Sequence, residues 1–493
     1  MNQSLNVLLP IFFPIIMGIG ILILPKIEQN RKALLSVVGI VLVLNGLLVC
    51  RALLTEPVEV TLFYLTSQLP IYFKIDALGR IFAVIVTIVW IAVGFYSFIY
   101  MKREQSEKRY FGFYLIVFGV LIGLDFSGNL ITMYLFYEFM TLVSMPLVIH
   151  SLTKEAIMAG LKYLFYSFCG AYMALFGLFF LNHYTNTLTF SPGGVLDMSL
   201  VQGHVGLILL VTFVMILGFG VKAGMFPLHG WLPTAHPVAP SPASAVLSGI
   251  IVKSGVFAMI RVVYYIIGAD FIRDTWVQYV WLILTLLTVF MGSMLAYREP
   301  VMKKRLAYST VSQVSYILFG LALLNPIGMT GALLHVIFHA FIKSALFLIV
   351  GAIIYQTGKT KATELQGIGK EMPITMWCYT LLSLALIGIP PMSGFISKWY
   401  LGIGALQSGI PGFSWIGPVI LLVSALLTAG YLMPITIQGF FPGEHYDYTK
   451  LKRKEPSLCM LLPIILLTGL AVLFGLMPNG LVSYITAITA QLM

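Results

Sequence analysis

Glu138 lies nine residues into an apolar stretch opening at Asn129, and Lys162, Lys222, Lys253, Lys343 and Lys398 lie inside others. Charged groups in such settings are costly, so each is a functional candidate by default. A carboxylate there must be protonated or face a base, since desolvation favours the neutral acid and a nearby ammonium favours the ion. Lys222 is the natural partner of Glu138; a purely structural ion pair is the plain alternative. Lys253, in Leu247-Ser-Gly-Ile-Ile-Val-Lys253-Ser-Gly-Val-Phe257, is too far from either end of its stretch to snorkel, and its small neighbours leave room for water. His335, His339 and Lys343 recur at i, i+4 and i+8, on one helix face with about 12 Å of axial reach, a ladder of protonatable groups. A histidine pair at that spacing could also bind a metal, but no third ligand accompanies it and Lys343 would repel a cation, so proton relay is the better reading. His229 and His236 flank the seventh apolar stretch, as a proton inlet or as interfacial anchors beside Trp231, and Lys162 is equally open between function and snorkelling.

These residues need elements that hold them inside a membrane. The chain has 493 residues, 59% of them hydrophobic and 10% charged. Runs such as Leu207–Phe219 and Leu461–Leu476 carry almost no polar side chains, so a soluble globule is excluded. With about 20 residues per crossing, the pattern predicts an all-α polytopic protein of about fourteen helices, near 5–25, 33–53, 77–101, 110–127, 130–150, 156–182, 204–226, 240–264, 274–297, 304–323, 329–356, 372–407, 413–441 and 457–488. Val58–Ile75 reads as a short extracytoplasmic β-like excursion. The start lacks the basic region and cleavage site of a secretory signal, so the first stretch is expected to be retained. Cys50, Cys169, Cys378 and Cys459 share no metal or cluster spacing and are expected as small core fillers.

Charge gives an independent test of topology. If both termini lie outside, the inside loops collect Lys26, Arg31, Lys32, Lys102, Arg103, Lys108, Arg109, Lys154, Arg298, Lys303, Lys304, Arg305, Lys359, Lys361, Lys370, Lys450, Lys452, Arg453 and Lys454. Only Arg51, Lys74, Arg80, Arg261 and Arg273 fall outside, which satisfies the positive-inside rule. The net charge of +11 is then topology rather than a nucleic-acid footprint.

The chain repeats itself. Gly218-Phe-Gly-Val-Lys222 in span seven matches Gly394-Phe-Ile-Ser-Lys398 in span twelve, and Lys162-Tyr-Leu-Phe165-Tyr-Ser-Phe168 falls on His335-Val-Ile-Phe338-His-Ala-Phe341 at nearly the same offset. The matched spans are five apart, so they run in opposite directions. Inverted repeats of five helices, with helices broken at Gly218, Gly220, Gly224 and Pro227 and at Gly388, Pro390, Pro391 and Gly394, point to a transporter. The expected division is residues 1–105, a first repeat 110–265, a second 272–441 and a last helix 455–488.

Glu138, Gly218-Phe-x-x-Lys222, Phe226-Pro-Leu-His229-x-Trp-Leu-Pro233-x-Ala-His236, Ser248-x-x-x-x-Lys253, Lys304-Arg-Leu-Ala-Tyr-Ser309-Thr-Val-Ser312-Gln313 and His335-x-x-x-His339-Ala-x-x-Lys343 together resemble a proton-translocating family. Its members are the antiporter-like subunits of respiratory complex I and the multisubunit Mrp cation/proton antiporters. The resemblance covers about residues 75–445. It implies fourteen helices with two inverted repeats, no prosthetic group or metal in this chain, partner membrane subunits, and a place in the bacterial plasma membrane. It also implies roles: Glu138 and Lys222 as a charge pair, Lys253 with His335, His339 and Lys343 as a central hydrophilic axis, and Lys398 as its end. Lys398, in Ile389-Pro-Pro-Met-Ser-Gly-Phe-Ile-Ser-Lys398, together with the chain length, looks most like the D-type Mrp subunit; a proton-pumping subunit of complex I or a membrane hydrogenase is the alternative. A membrane-embedded lipid transferase is disfavoured because no DxD, HExxH or GxSxG pattern occurs. A single-chain Na+ transporter is disfavoured because one carboxylate among five lysines is a poor sodium site.

Overall fold

A computed structural model describes residues 3–55, 58–66, 69–444, 446 and 452–493. Lys450 and the side chain of Lys26, both counted in the charge pattern, lie outside the described residues. The helices are α1 Gln3–Ile23, α2 Arg31–Leu54, α3 Ala77–Tyr100, α4 Glu107–Asp125, α5 Leu130–Val148, α6 Lys154–Tyr184 and α7 Val205–Ala223. A short Leu232–Val238 turn of helix leads to α8 Ser241–Ile267. Then come α9 Trp276–Arg298, α10 Met302–Ala322, α11 Pro326–Thr357, α12 Pro373–Ile387, α13 Ser393–Leu406, α14 Phe413–Phe440, α15 Leu458–Leu476 and α16 Asn479–Gln491. Among the described residues, 11 helices are long and apolar enough to cross a bilayer. Expected spans four, ten and twelve also form helices but miss that measure: α4 and α10 start with charged turns, and the twelfth is split into α12 and α13.

Local signals set the ends. Asn129 caps α5 by accepting from Thr132 N at 2.8 Å, Asp76 caps α3 through Gly79 N at 2.8 Å, and Asn325 caps α11 through Gly328 N at 2.7 Å. Gly224 and Gly388 end α7 and α12 in the left-handed conformation, φ 77° and 90°, which a side chain would oppose. These are the two breaks read from glycine and proline in the sequence. The fourteenth stretch, expected unbroken to 488, stops at Leu476, since Pro478 cannot extend the ladder, and resumes as α16. The β-like excursion is a hairpin, β1 Glu59–Thr66 and β2 Leu69–Lys74, antiparallel with Glu59 opposite Lys74 and the pair bridged at 2.8 Å.

At the centre stand α8 and α11. The most apolar window of α8 is 100% buried inside the chain and that of α11 94%, whereas most of the other spans keep a face free for lipid or partners. Helix α10, α13, α15 and α16 pack on α11, and α7 packs on α8. Two stretches of α8, Leu247–Ile251 and Arg261–Ile267, are wound as π-helix. Such wide turns recur at functional positions because they release backbone groups from the ladder.

Two expectations are corrected here. Cys50, Cys169 and Cys459 are exposed on the chain surface and only Cys378 is buried, because a lipid-facing surface accepts a thiol as readily as a core does. Arg261, placed outside the membrane by the charge count, is 0% exposed within α8.

Candidate proton-conducting axis

Lys222, the penultimate residue of α7, is 0% exposed. Its ammonium spends its three donors on Thr141 Oγ1 at 2.9 Å, Tyr163 OH at 2.8 Å and Ser167 Oγ at 3.1 Å, and Ser144 Oγ continues the cluster to Tyr163 at 2.8 Å. Glu138 lies one turn before Thr141 on α5, half-buried beside exposed Phe139, with Oε1 buried and without a hydrogen-bond partner. No ion pair within 4.0 Å joins Glu138 to Lys222 among the described residues. The two are not in direct contact: hydroxyl groups take the hydrogen bonds of the lysine, while Glu138 and Lys222 stay within each other's field.

Beyond Lys222 the helices close up. A Cβ on Gly255 would stand 2.6 Å from Phe219 O, 2.9 Å from Ala223 N and 3.1 Å from Lys222 Cβ, so glycine is what lets α7 and α8 meet. Lys253, 2% exposed, follows the first π segment and bonds the carbonyls that segment frees, Ser248 O at 3.3 Å and Gly249 O at 2.5 Å. Its third contact is His339 Nδ1 at 3.0 Å. His339 stacks on His335 with centroids 5.8 Å apart. His335 reaches Ser397 Oγ at 2.9 Å through Nδ1 and Gln313 Oε1 at 3.2 Å through Nε2, and it stacks on Tyr316. Lys398, next to Ser397, donates to Leu386 O at 2.7 Å and Ile387 O at 2.9 Å, the free carbonyls at the end of α12, with its ammonium 4.8 Å from the Tyr316 ring centroid.

The structure therefore strings Lys253, His339, His335, Ser397 and Lys398 into one file. Lys343 is 0% exposed but leaves the line, donating to Leu306 O at 3.2 Å, so the ladder read from helical spacing forks at its lysine. Among the described residues no group of three or more His, Cys, Asp or Glu could hold a metal.

The flanking candidates resolve unevenly. His236 is 0% exposed, stacked on Phe347 at 4.8 Å, with neither nitrogen bonded, and Trp231 is buried with Nε1 on Val221 O at 2.8 Å; neither is an interfacial anchor. His229 stacks on Phe226 and leaves Nδ1 unbonded. Lys162 reaches Thr234 Oγ1 at 3.0 Å.

Sequence reasoning missed the hydroxyls Thr141, Tyr163, Ser167 and Ser397, which carry no charge to flag them. It also missed a second cluster near the hairpin. Arg261 grips Asp76 through two hydrogen bonds, and Asp125, 2% exposed at the end of α4, lies within its field. Although burial opposes it, the Arg261 charge and hydrogen bonds hold the Asp76 carboxyl below its ordinary value. An arginine inside Ala258-Met-Ile-Arg261-Val-Val was the available signal.

Fold and site together define a polytopic membrane protein with a largely buried file of lysine and histidine side chains on its central helices. The chain belongs to the NADH:quinone oxidoreductase/Mrp antiporter family of membrane proteins, whose model matches residues 127–428, and a model of the chain 5 N-terminus of complex I matches residues 64–111. It is 31% identical to the N subunit of the NADH-quinone oxidoreductase of Desulforudis audaxviator over 83% of this chain and 82% of that one. It is 29% identical to the D subunit of the Na(+)/H(+) antiporter of Bacillus subtilis over 95% of this chain and 93% of that one. The fold matches a chain of the Mrp complex from Dietzia sp. DQ12-45-1b with a TM-score of 0.85, 22% identity and coverage of 100% and 98%. It also matches a chain of an archaeal membrane-bound sulfane sulfur reductase with a TM-score of 0.81, 27% identity and coverage of 98% and 77%.

Proposed function

We propose that this chain is the proton-translocating subunit of a multisubunit Na+/H+ antiporter, of the D type, rather than an enzyme. The observation that carries the reading is the file Lys253, His339, His335, Ser397, Lys398, buried in α8, α11 and α13 up to Ser397 and half-buried at Lys398. In this reading a proton arriving at Glu138 changes the charge state opposite Lys222. That change biases Lys253, and the excess proton passes His339 and His335 to Lys398, which gives it to the far side or to a neighbouring subunit. Two charges about 7 Å apart interact by roughly 2 kcal/mol at an effective dielectric near 20, enough to bias each step more than tenfold. Lys343 supplies positive charge beside the file rather than a place in it. An axis of lysines and histidines repels Na+, so the cation passes where partner subunits contribute.

In the same reading α4, α10 and the α12–α13 pair are crossings, which brings the count to fourteen, and residues 110–265 and 272–441 are the inverted repeats. The loops rich in Lys and Arg face the cytoplasm of a bacterial cell and both termini face out. A pump subunit of complex I or a hydrogenase is the second reading, favoured by the 31% identity to an N subunit and by 33% identity to Hydrogenase-4 component B of Escherichia coli over 66% of this chain and 50% of that one. Purifying the assembly decides between them: Mrp-type membrane subunits support the antiporter, while quinone-reducing or iron–sulfur partners overturn it. Loss of Na+-driven proton movement in proteoliposomes with Lys253→Ala tests the axis itself, and unchanged exchange would refute it.

A further inference from the structure

The hairpin end of the molecule holds a buried charge cluster that the axis does not use. Arg261 stands two turns beyond Lys253 on α8, about 12 Å along the helix. Each lies beside a π segment, Lys253 after Leu247–Ile251 and Arg261 at the start of Arg261–Ile267, the only two in the described residues. The guanidinium is 0% exposed and packed by Phe190, Phe257 and Tyr265, whose ring centroids lie 4.7, 4.9 and 4.6 Å from its carbon. Asp76 takes its charge through paired hydrogen bonds and is thereby ionised.

Asp125 is left over. It is 2% exposed, and its Oδ2 is buried with no hydrogen-bond partner. One cation cannot neutralise two carboxylates, and a second ion buried without partners is far costlier than the acid. The charged group acting on it is Arg261 on α8, which is itself packed by Tyr265 and paired with Asp76; Lys74, where β2 meets α3, is paired to Glu59. A cavity of about 210 Å³, lined in part by Lys74, Asp76, Ser127, Gly128 and Tyr265, opens beside Asp76. The strand β2 fixes this corner to the end of α4, with Lys74 N on Phe126 O at 2.9 Å and Gly128 N on Tyr72 O at 3.0 Å.

We propose that Asp125 is a proton-carrying group at the hairpin side of the membrane, set by Arg261 and Asp76, through which the central axis exchanges protons with the cavity. The step is a plain proton transfer: Asp125, the neutral acid at rest, gives its proton to water reaching in from the cavity beside Asp76, and the carboxylate left behind is reprotonated through water by the Lys253 ammonium, leaving an amine. Arg261 and Asp76 are positioning residues that keep the local charge at zero when Asp125 is protonated. This inference rests on the proton-axis reading above.

The test uses the whole complex in proteoliposomes, with Asp125→Asn, Asp125→Glu and Lys253→Ala compared for Na+-driven proton movement across pH. Asp125→Asn keeps the shape of the acid but carries no exchangeable acidic proton, so exchange should fall about tenfold or more with assembly and melting temperature unchanged, and Asp125→Glu should recover part of it with a displaced pH profile. Infrared difference spectra of the purified wild-type complex should show a protonated-carboxyl band that shifts in Asp125→Glu. Wild-type exchange and pH profile in Asp125→Asn overturn the proposal, and so does the absence of that band should Asp125→Asn fail to assemble. If Lys253→Ala is inactive while Asp125→Asn is normal, only this inference falls; if Lys253→Ala is also normal, the axis reading falls first.

Discussion

Replacing His339 by glutamine separates a proton carrier from a mere acceptor. The Nδ1 of His339 stands 3.0 Å from Lys253 Nζ, and the pair is closed off from solvent. Were both groups charged, they would repel by about 5 kcal/mol at an effective dielectric near 20, a bias of roughly four powers of ten against double protonation. The pair therefore holds a single excess proton, either on the lysine or on the ring, and in the proposed proton axis the ring is the way onward to His335. Glutamine keeps an acceptor for Lys253 but cannot take up the proton, so His339→Gln should leave the complex assembled and cut exchange about a hundredfold. The assay is dye-reported proton movement driven by a Na+ gradient in proteoliposomes, with assembly checked on native gels. Near wild-type exchange in His339→Gln would refute the reasoning, because His339 would then serve Lys253 only as a hydrogen-bond acceptor and the proton must travel another way.

Further outcomes are expected elsewhere. Glu138→Ala should abolish exchange with assembly intact and Glu138→Asp should keep part of it, both read by the same dye assay. Lys398→Arg should be nearly as inactive as Lys398→Ala, since guanidinium does not release its proton, whereas Lys398→Glu should work partly with an altered pH optimum; a fully active Lys398→Arg would limit Lys398 to fixed charge. Gly255→Ala drives a methyl against backbone atoms at 2.6 and 2.9 Å and should cost about 1–3 kcal/mol in thermal stability together with most exchange. His150, just past α5, is brought down to about 4 by burial and by Arg109, so the unfolded chain, near 6.5, binds its proton first. Stability from this residue is full above pH 6.5 and drains as pH falls toward 4, and His150→Gln should flatten that part of the melting profile.

Charges inside apolar runs were visible in the sequence because of their cost, and the structure buries Lys222, Lys253, His335, His339 and Lys343 and leaves Lys398 half-buried. Helix breaks were visible because glycine and proline have few other uses there. Contacts were not. Spacing on α11 put Lys343 in line with the histidines, yet which of three side chains meets Lys253 depends on how α8 and α11 cross, and a π turn shifts that register without a sequence mark. That hydroxyl groups rather than Glu138 take the hydrogen bonds of Lys222 was not legible, since hydroxyls carry no charge to mark them. Arg261 was counted with the outer charges although the expected span 240–264 contains it, because it stands within a turn of that span's outer end, and Asp125 drew no notice two residues from the end of the expected span 110–127.

Lys398 works as a clasp between the two halves of the broken span. As an ammonium it ties α13 to the Leu386 and Ile387 carbonyls with charge-assisted bonds, about twice as strong as those a neutral amine can offer the same oxygens. If Lys398 ends a proton file as proposed, the grip between α12 and α13 is set by its proton count, and each proton it releases would slacken a joint in the backbone. Transport in that reading would carry a mechanical signal with it, delivered to whatever surface packs against exposed Trp399 and its half-buried neighbour Phe395 on α13.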